Sequence, residues 1–113
     1  MHELAITQGI LEIAEREAVR HNSSRITRVK LQIGEFTGVV KEALEFSFDV
    51  VKQGTLAADA QLEIEVIKLR KRCPGCDEVF ASTDLFDFFC PLCSAPAEIV
   101  SGREMQIEYI DLD

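Results

Sequence analysis

Cys73-Pro74-Gly75-Cys76 and Cys90-Pro91-Leu92-Cys93 hold every cysteine of this chain, with thirteen residues between them. Their reading decides the fold. Each CxxC pair can close into a tight knuckle that aims two sulfurs at one point. Two knuckles then offer four thiolates at the corners of a tetrahedron, the layout of a structural zinc site. A mononuclear iron site with four cysteines would use the same spacing. Two disulfides, or one redox CxxC, are the rivals. They fit less well: pairs repeated with Pro-Gly and Pro-Leu inside read as metal knuckles. A site filled by four protein ligands has no open position for water or substrate. The metal therefore staples structure, and function lies elsewhere.

Working outward, 113 residues allow one modest core. A metal-held module needs little core of its own, because metal binding supplies folding energy. The chain thus divides into an α/β domain, residues 1–72 and 98–113, and a cysteine module, residues 73–97, inserted between the last two strands. An apolar content of 47% predicts a folded chain. The start lacks a basic, then apolar, leader pattern, and no stretch reaches transmembrane length. Both point to a cytoplasmic protein with reduced thiols.

The net charge is −8, from 12 basic and 20 acidic residues. Between Cys73 and Val100 no Lys or Arg occurs, while Asp77, Glu78, Asp84, Asp87 and Glu98 do. Such a module would repel phosphates, which argues against nucleic-acid binding. The basic run Lys68, Arg70, Lys71 and Arg72 reads as a solvated strand end.

Upstream, Ile6, Ile10, Ile13, Ala14 and Ala18 recur at helical spacing, predicting a helix over 3–20. His21, just beyond, reads as a solvent-facing helix-end histidine. Val29, Leu31 and Ile33 alternate with Arg28, Lys30 and Gln32, a half-buried strand. Gly34 to Gly38 is a strand-to-helix loop whose glycines permit close approach or positive φ. A second helix spans 40–52: Ala43 or Leu44, Ser47 or Phe48, and Val51 mark its buried stripe, and Phe46, Phe48 and Val50 leave its outer face unusually apolar. The strand over 61–72 loses its parity at Ile67 and Leu69, which predicts a bend, or burial on both faces near the module junction. A short strand near 97–100, a turn at Ser101-Gly102 and a strand over 103–111 complete the chain. The fold class is α+β: a small three-stranded mixed sheet covered by two helices, with an inserted zinc-ribbon-like module. The strands entering and leaving the module are expected to pair as one long antiparallel hairpin, with the first strand at the sheet edge. Phe80, Phe86, Phe88 and Phe89 are expected to form a mini-core over the metal.

No nucleophile–base set appears, so an enzyme is not expected. The first three residues offer different chemistry. A free Met1 amine, the amide nitrogen and ring Nδ1 of His2, and the amide of Glu3 can place four nitrogens in one plane, which suits Ni(II) or Cu(II). A histidine at position 2 is more often a plain surface residue, and spacing alone leaves both readings open. A zinc-ribbon adaptor that binds proteins without carrying nickel is the alternative function.

Met1-His2-Glu3-Leu4, Ile33-Gly34-Glu35-Phe36, Leu44-Glu45-Phe46-Ser47-Phe48, the two CxxC pairs and Ser101-Gly102-x-Glu104-Met105-x-Ile107 together resemble the HypA/HybF family of hydrogenase maturation factors. The resemblance spans essentially the whole chain. It implies a nickel metallochaperone. Ni(II) would be held at Met1, His2 and Glu3, in the α/β domain, and Zn(II) at Cys73, Cys76, Cys90 and Cys93. It implies delivery to the large subunit of NiFe-hydrogenase with a HypB-type GTPase, and in some members service to urease. A second copy of the chain is a further candidate partner. Where some members offer an acidic side chain near the start of the second helix, this chain has Val39-Val40.

Overall fold

The computed structural model describes residues 3–81 and 88–113. Helix α1 (Glu3–Arg20) precedes strand β1 (Ile26–Gly34), a 3-10 turn (Glu35–Thr37) and helix α2 (Lys41–Val51). Then come β2 (Gln61–Ile67), β3 (Arg70–Arg72), β4 (Val79–Ala81), β5 (Glu98–Ser101) and β6 (Met105–Leu112). The chain forms two compact units. The first comprises Met1–Gln32, Val39–Glu65 and Gln106–Asp113; the second comprises Ile33–Gly38 and Val66–Met105. The second unit is thus wider than the 73–97 module, since it also takes in both flanks and the 33–38 loop.

In the first unit α1 and α2 pack together. Thr7, Ile10, Leu11, Ala14 and Ala18 form the buried stripe of α1. Leu44 and Phe48, four apart, form that of α2. Ile13, expected inside, is 45% exposed, and Leu11 takes the buried place. The helix is rotated enough for Thr7 to enter the stripe. Its hydroxyl is satisfied there by donating to the Glu3 and Leu4 carbonyls, at 3.1 and 2.9 Å.

The main sheet has the order β2-β1-β6. The first strand is therefore central, a correction to the edge position expected from sequence. The reason lies in its side chains. Ile26, Val29, Leu31 and Ile33 of β1 are all buried, whereas β2 and β6 carry half-buried and exposed residues. The strand with the most buried side chains takes the place with a neighbour on each side. Arg25 and Asp113 are joined by a backbone hydrogen bond, Lys30 meets Glu108, and Gly34 donates to the Glu104 carbonyl. The pairs run in opposite senses, so β1 and β6 are antiparallel. Arg28 meets Glu63 and Gln32 meets Glu65; these ascend together, as parallel strands joined through a helix require. The sheet is mixed.

The second sheet has the order β4-β3-β5, with both pairings antiparallel. The expected long hairpin is only partly present. The strand over 61–72 breaks at Lys68-Leu69, where parity fails in the sequence. Before the break, β2 and β6 flank β1 and do not touch as neighbours. After it, β3 and β5 do pair. At the break Leu69 is buried, and its N–H donates to the Glu35 carboxylate at 2.5 Å in place of a ladder partner.

Two glycines fit this unit together. A Cβ on Gly34 would lie 2.0 Å from the carbonyl carbon and oxygen of Gly102. Gly102 has φ 111°, and a Cβ there would meet Leu69 Cα at 2.8 Å. Gly34 is extended (φ −78°) and serves close approach; Gly38, at φ 74°, serves the turn.

The basic run is not uniformly solvated, which corrects the expectation. Lys71 is fully buried, its ammonium 4.5 Å from the centre of the Phe88 ring. Phe88 meets Phe36 edge-on at 6.4 Å, and Arg103 lies over Phe36 at 5.5 Å. Of the four aromatic residues expected over the metal, three are described, and they differ in burial. Phe80 is half-buried and Phe89 is 58% exposed. Phe86, like Asp84 and Asp87, lies outside the described residues.

Candidate metal centre

Each cysteine pair sits in a knuckle with the same backbone wiring. In the first, the Asp77 N–H donates to the Cys73 carbonyl (2.7 Å) and the Cys73 N–H to the Glu78 carbonyl (2.9 Å). In the second, the Ser94 N–H donates to the Cys90 carbonyl (2.9 Å) and the Cys90 N–H to the Ala95 carbonyl (2.8 Å). The residue after each second cysteine is left-handed: Asp77 at φ 59° and Ser94 at φ 60°. Asp and Ser bear this conformation through short polar side chains. Proline follows each first cysteine, at a position whose fixed φ suits the start of a turn. Sequence and geometry repeat together, so the two knuckles form a pseudo-symmetric pair.

The repeat brings all four sulfurs to one place. Cys73 Sγ lies 3.4 Å from Cys93 Sγ, and Cys76 Sγ lies 3.6 Å from Cys90 Sγ. All four sulfurs fall within 4.8 Å of one another. A disulfide needs about 2.05 Å, and all four cysteines are free. Four sulfurs about 2.3 Å from a central ion stand about 3.8 Å apart in a tetrahedron. The observed separations match that figure, so the donor set fits zinc. Cys73 and Cys90 are buried while Cys76 and Cys93 are exposed. The Leu92 N–H also points at Cys90 Sγ, at 3.4 Å.

Crowding splits the thiol acidities. The Cys76 amide, together with the Cys93 and Cys76 thiols, brings Cys73 down to about 7. The Glu78 amide favours the Cys76 thiolate, but the neighbouring Cys73 and Cys90 sulfurs and desolvation outweigh it and push Cys76 up to about 12. Cys93 is likewise raised: the Ala95 amide lowers it, and Cys73 and Cys90 overcome that. Without a cation, four adjacent sulfurs cannot all ionise. A divalent ion removes that conflict.

Arg72 does more than end a strand in solvent. Its guanidinium forks between Asp77 (2.7 Å) and Glu98 (2.8 Å), joining the first knuckle to β5. Its pKa is raised, chiefly by the hydrogen bond it donates to Asp77. The clue in the sequence was its place directly before the first ligand.

Among the described residues, neither Glu3 nor His21 is part of the sulfur cluster. Glu3 opens α1 and is half-buried. Met1 and His2 lie outside the described residues. His21 is exposed beyond α1, 3.7 Å from Glu17, and does not join the sulfurs.

A family model described as hydrogenase/urease nickel incorporation, metallochaperone, HypA matches residues 1–112. The chain belongs to the HypA family. It is 41% identical to the hydrogenase maturation factor HypA of Roseiflexus sp. (strain RS-1), over 100% of this chain and 93% of that one. It is 42% identical to the HypA of Picosynechococcus sp. (strain ATCC 27264 / PCC 7002 / PR-6), over 99% of each. Among solved structures it resembles the solution structure of the Ni metallochaperone HypA from Helicobacter pylori. That match has a TM-score of 0.68 and 26% identity over 99% of this chain and 97% of that one. A second HypA solution structure gives a TM-score of 0.74, again at 26% identity, over 100% and 97%.

As a HypA-family member the protein is a nickel metallochaperone of hydrogenase maturation, and it carries an ion rather than catalysing a reaction. It works with the hydrogenase maturation machinery. No helix among the described residues is long and apolar enough to cross a membrane.

Proposed function

We propose that this chain binds Ni(II) at its N-terminus and releases it by ligand exchange, while Cys73, Cys76, Cys90 and Cys93 hold a permanent zinc ion. The observation that carries the reading is the match of a nickel-incorporation family across residues 1–112, a span that includes Met1-His2-Glu3. The nickel ligands are the Met1 amine, the His2 amide and ring, and the Glu3 amide. The placement of Glu3 supports this. The first N–H groups of a helix have no acceptor within it, so the Glu3 amide can lose its proton to a metal without breaking α1. The positive end of the helix dipole favours the amide anion that results.

Division of labour follows from coordination chemistry. Four thiolates close a site, whereas a short chelate at a chain end lets an incoming ligand attack. The α/β domain, residues 1–72 and 98–113, is the carrier, and residues 73–97 are the stapled module. The recipients are the large subunit of NiFe-hydrogenase and, through the same chelate, urease maturation. A HypB-type GTPase is the working partner, in the cytoplasm.

Calorimetric nickel titration tests the site. The His2→Ala chain and the chain acetylated at its amine should both lose stoichiometric nickel binding while keeping their zinc and their unfolding midpoint. Undiminished binding by either sample would overturn the N-terminal assignment.

A further inference from the structure

Helix α2 carries a second apolar face that the fold does not use. Leu44 and Phe48 are fully buried, but Phe46 is 72% exposed and Val50 is 51% exposed. Ala43, Phe46 and Val50 are spaced three and four apart, so they line one ridge, and Ala43 is half-buried beside them. A large exposed aromatic on an apolar ridge is the usual anchor of a protein contact.

The charges beside the ridge name its occupant. Glu42 and Asp49 are seven apart and share the flank next to Phe46. Both are exposed. Glu42 makes no ion pair among the described residues, and Asp49 is met only by Lys52 at 3.3 Å, from the same helix. A second copy laid antiparallel on this ridge would set Glu42 and Asp49 against their own counterparts, which like-charge repulsion disfavours. A basic flank meets both carboxylates. The chain as a whole, at −8, adds a field of the same sign.

We propose that the Ala43-Phe46-Val50 ridge of α2 is a docking surface for a basic amphipathic helix of a partner protein. Phe46 is the anchor, and Glu42 and Asp49 set the register by pairing with Lys or Arg. The assignment does not depend on where nickel binds.

The test uses the full chain loaded with zinc and a labelled Leu/Lys amphipathic peptide about four helical turns long. A matched Leu/Glu peptide serves as control. Anisotropy reads affinity, and amide shifts in the isotope-labelled protein read location. The Leu/Lys peptide should bind with shifts centred on α2, and the Leu/Glu peptide should not. Phe46→Ser, which leaves every charge in place, should weaken binding about tenfold or more. Glu42→Lys with Asp49→Lys should weaken it similarly and recover the Leu/Glu peptide. Each variant should keep the parent unfolding midpoint, since the changed side chains are exposed. Equal binding by Phe46→Ser, shifts lying off α2, or sedimentation showing a dimer that Phe46→Ser dissolves would each overturn the proposal. The last of these would give the ridge to a second copy.

Discussion

Arg72 and Lys71 are adjacent in sequence and have opposite fates. Arg72 forks outward to two carboxylates, and Lys71 is buried beneath Phe88. Strand parity alone separates them: Arg70 is exposed, Lys71 buried and Arg72 intermediate. That alternation was present in the sequence, but four cations in five positions masked it. The cysteines were legible because their spacing encodes a geometry. Their acidities needed coordinates. With Cys76 pushed up to about 12 and Cys93 also raised, both hold protons at neutral pH when no metal is present. Binding zinc must expel them. The sign follows: more protons are bound in the metal-free state, so affinity falls as pH falls. Adding zinc to the apo protein in weak buffer at neutral pH should release at least the two protons of Cys76 and Cys93, read with an indicator dye. Release of none would contradict a site of four thiolates.

Among the elements, α2 shows why periodicity gives the helix but not its rotation. Apolar residues at 43, 44, 46, 48, 50 and 51 cover slightly more than half the helix, so more than one buried stripe is compatible with the sequence. Tertiary packing, including that against α1, selects Leu44 and Phe48. The difference is measurable. Phe48→Ala should cost about 3–5 kcal/mol, as for a fully enclosed aromatic. Phe46→Ala should stay within about 0.5 kcal/mol. Denaturant unfolding of the two variants compares them, and equal losses would mean that Phe46 is part of the core. Strand order was harder to read, because edge and centre differ by neighbours that are far away in sequence. The burial of four β1 residues against the mixed faces of β2 and β6 supplies the deciding contrast. The break at Lys68-Leu69 was legible as lost parity. That β2 and β3 then join different sheets was not.

For the whole molecule, the two compact units draw on different sources of stability. The first holds a conventional apolar core from α1, β1 and α2. The second has short strands of three and four residues and exposed side chains at most module positions, so it depends on its ion. Stripping zinc with a chelator should therefore abolish hydrogen-exchange protection in β3, β4 and β5 while α1 and α2 remain protected. Simultaneous loss everywhere would refute that separation. The carrier role was legible only as a whole-chain pattern, because no single motif in it is specific.

The matched wiring of the two knuckles leaves the side chain after each tip proline without a structural duty. Pro74-Gly75 and Pro91-Leu92 occupy equivalent places, and a Cβ on Gly75 would meet only Cys73 Sγ, at an ordinary 3.7 Å. Gly75 is not held at positive φ. Position 75 is thus open to a larger side chain: a protein engineer can place there the leucine that the other loop carries, and the metal cage will still close.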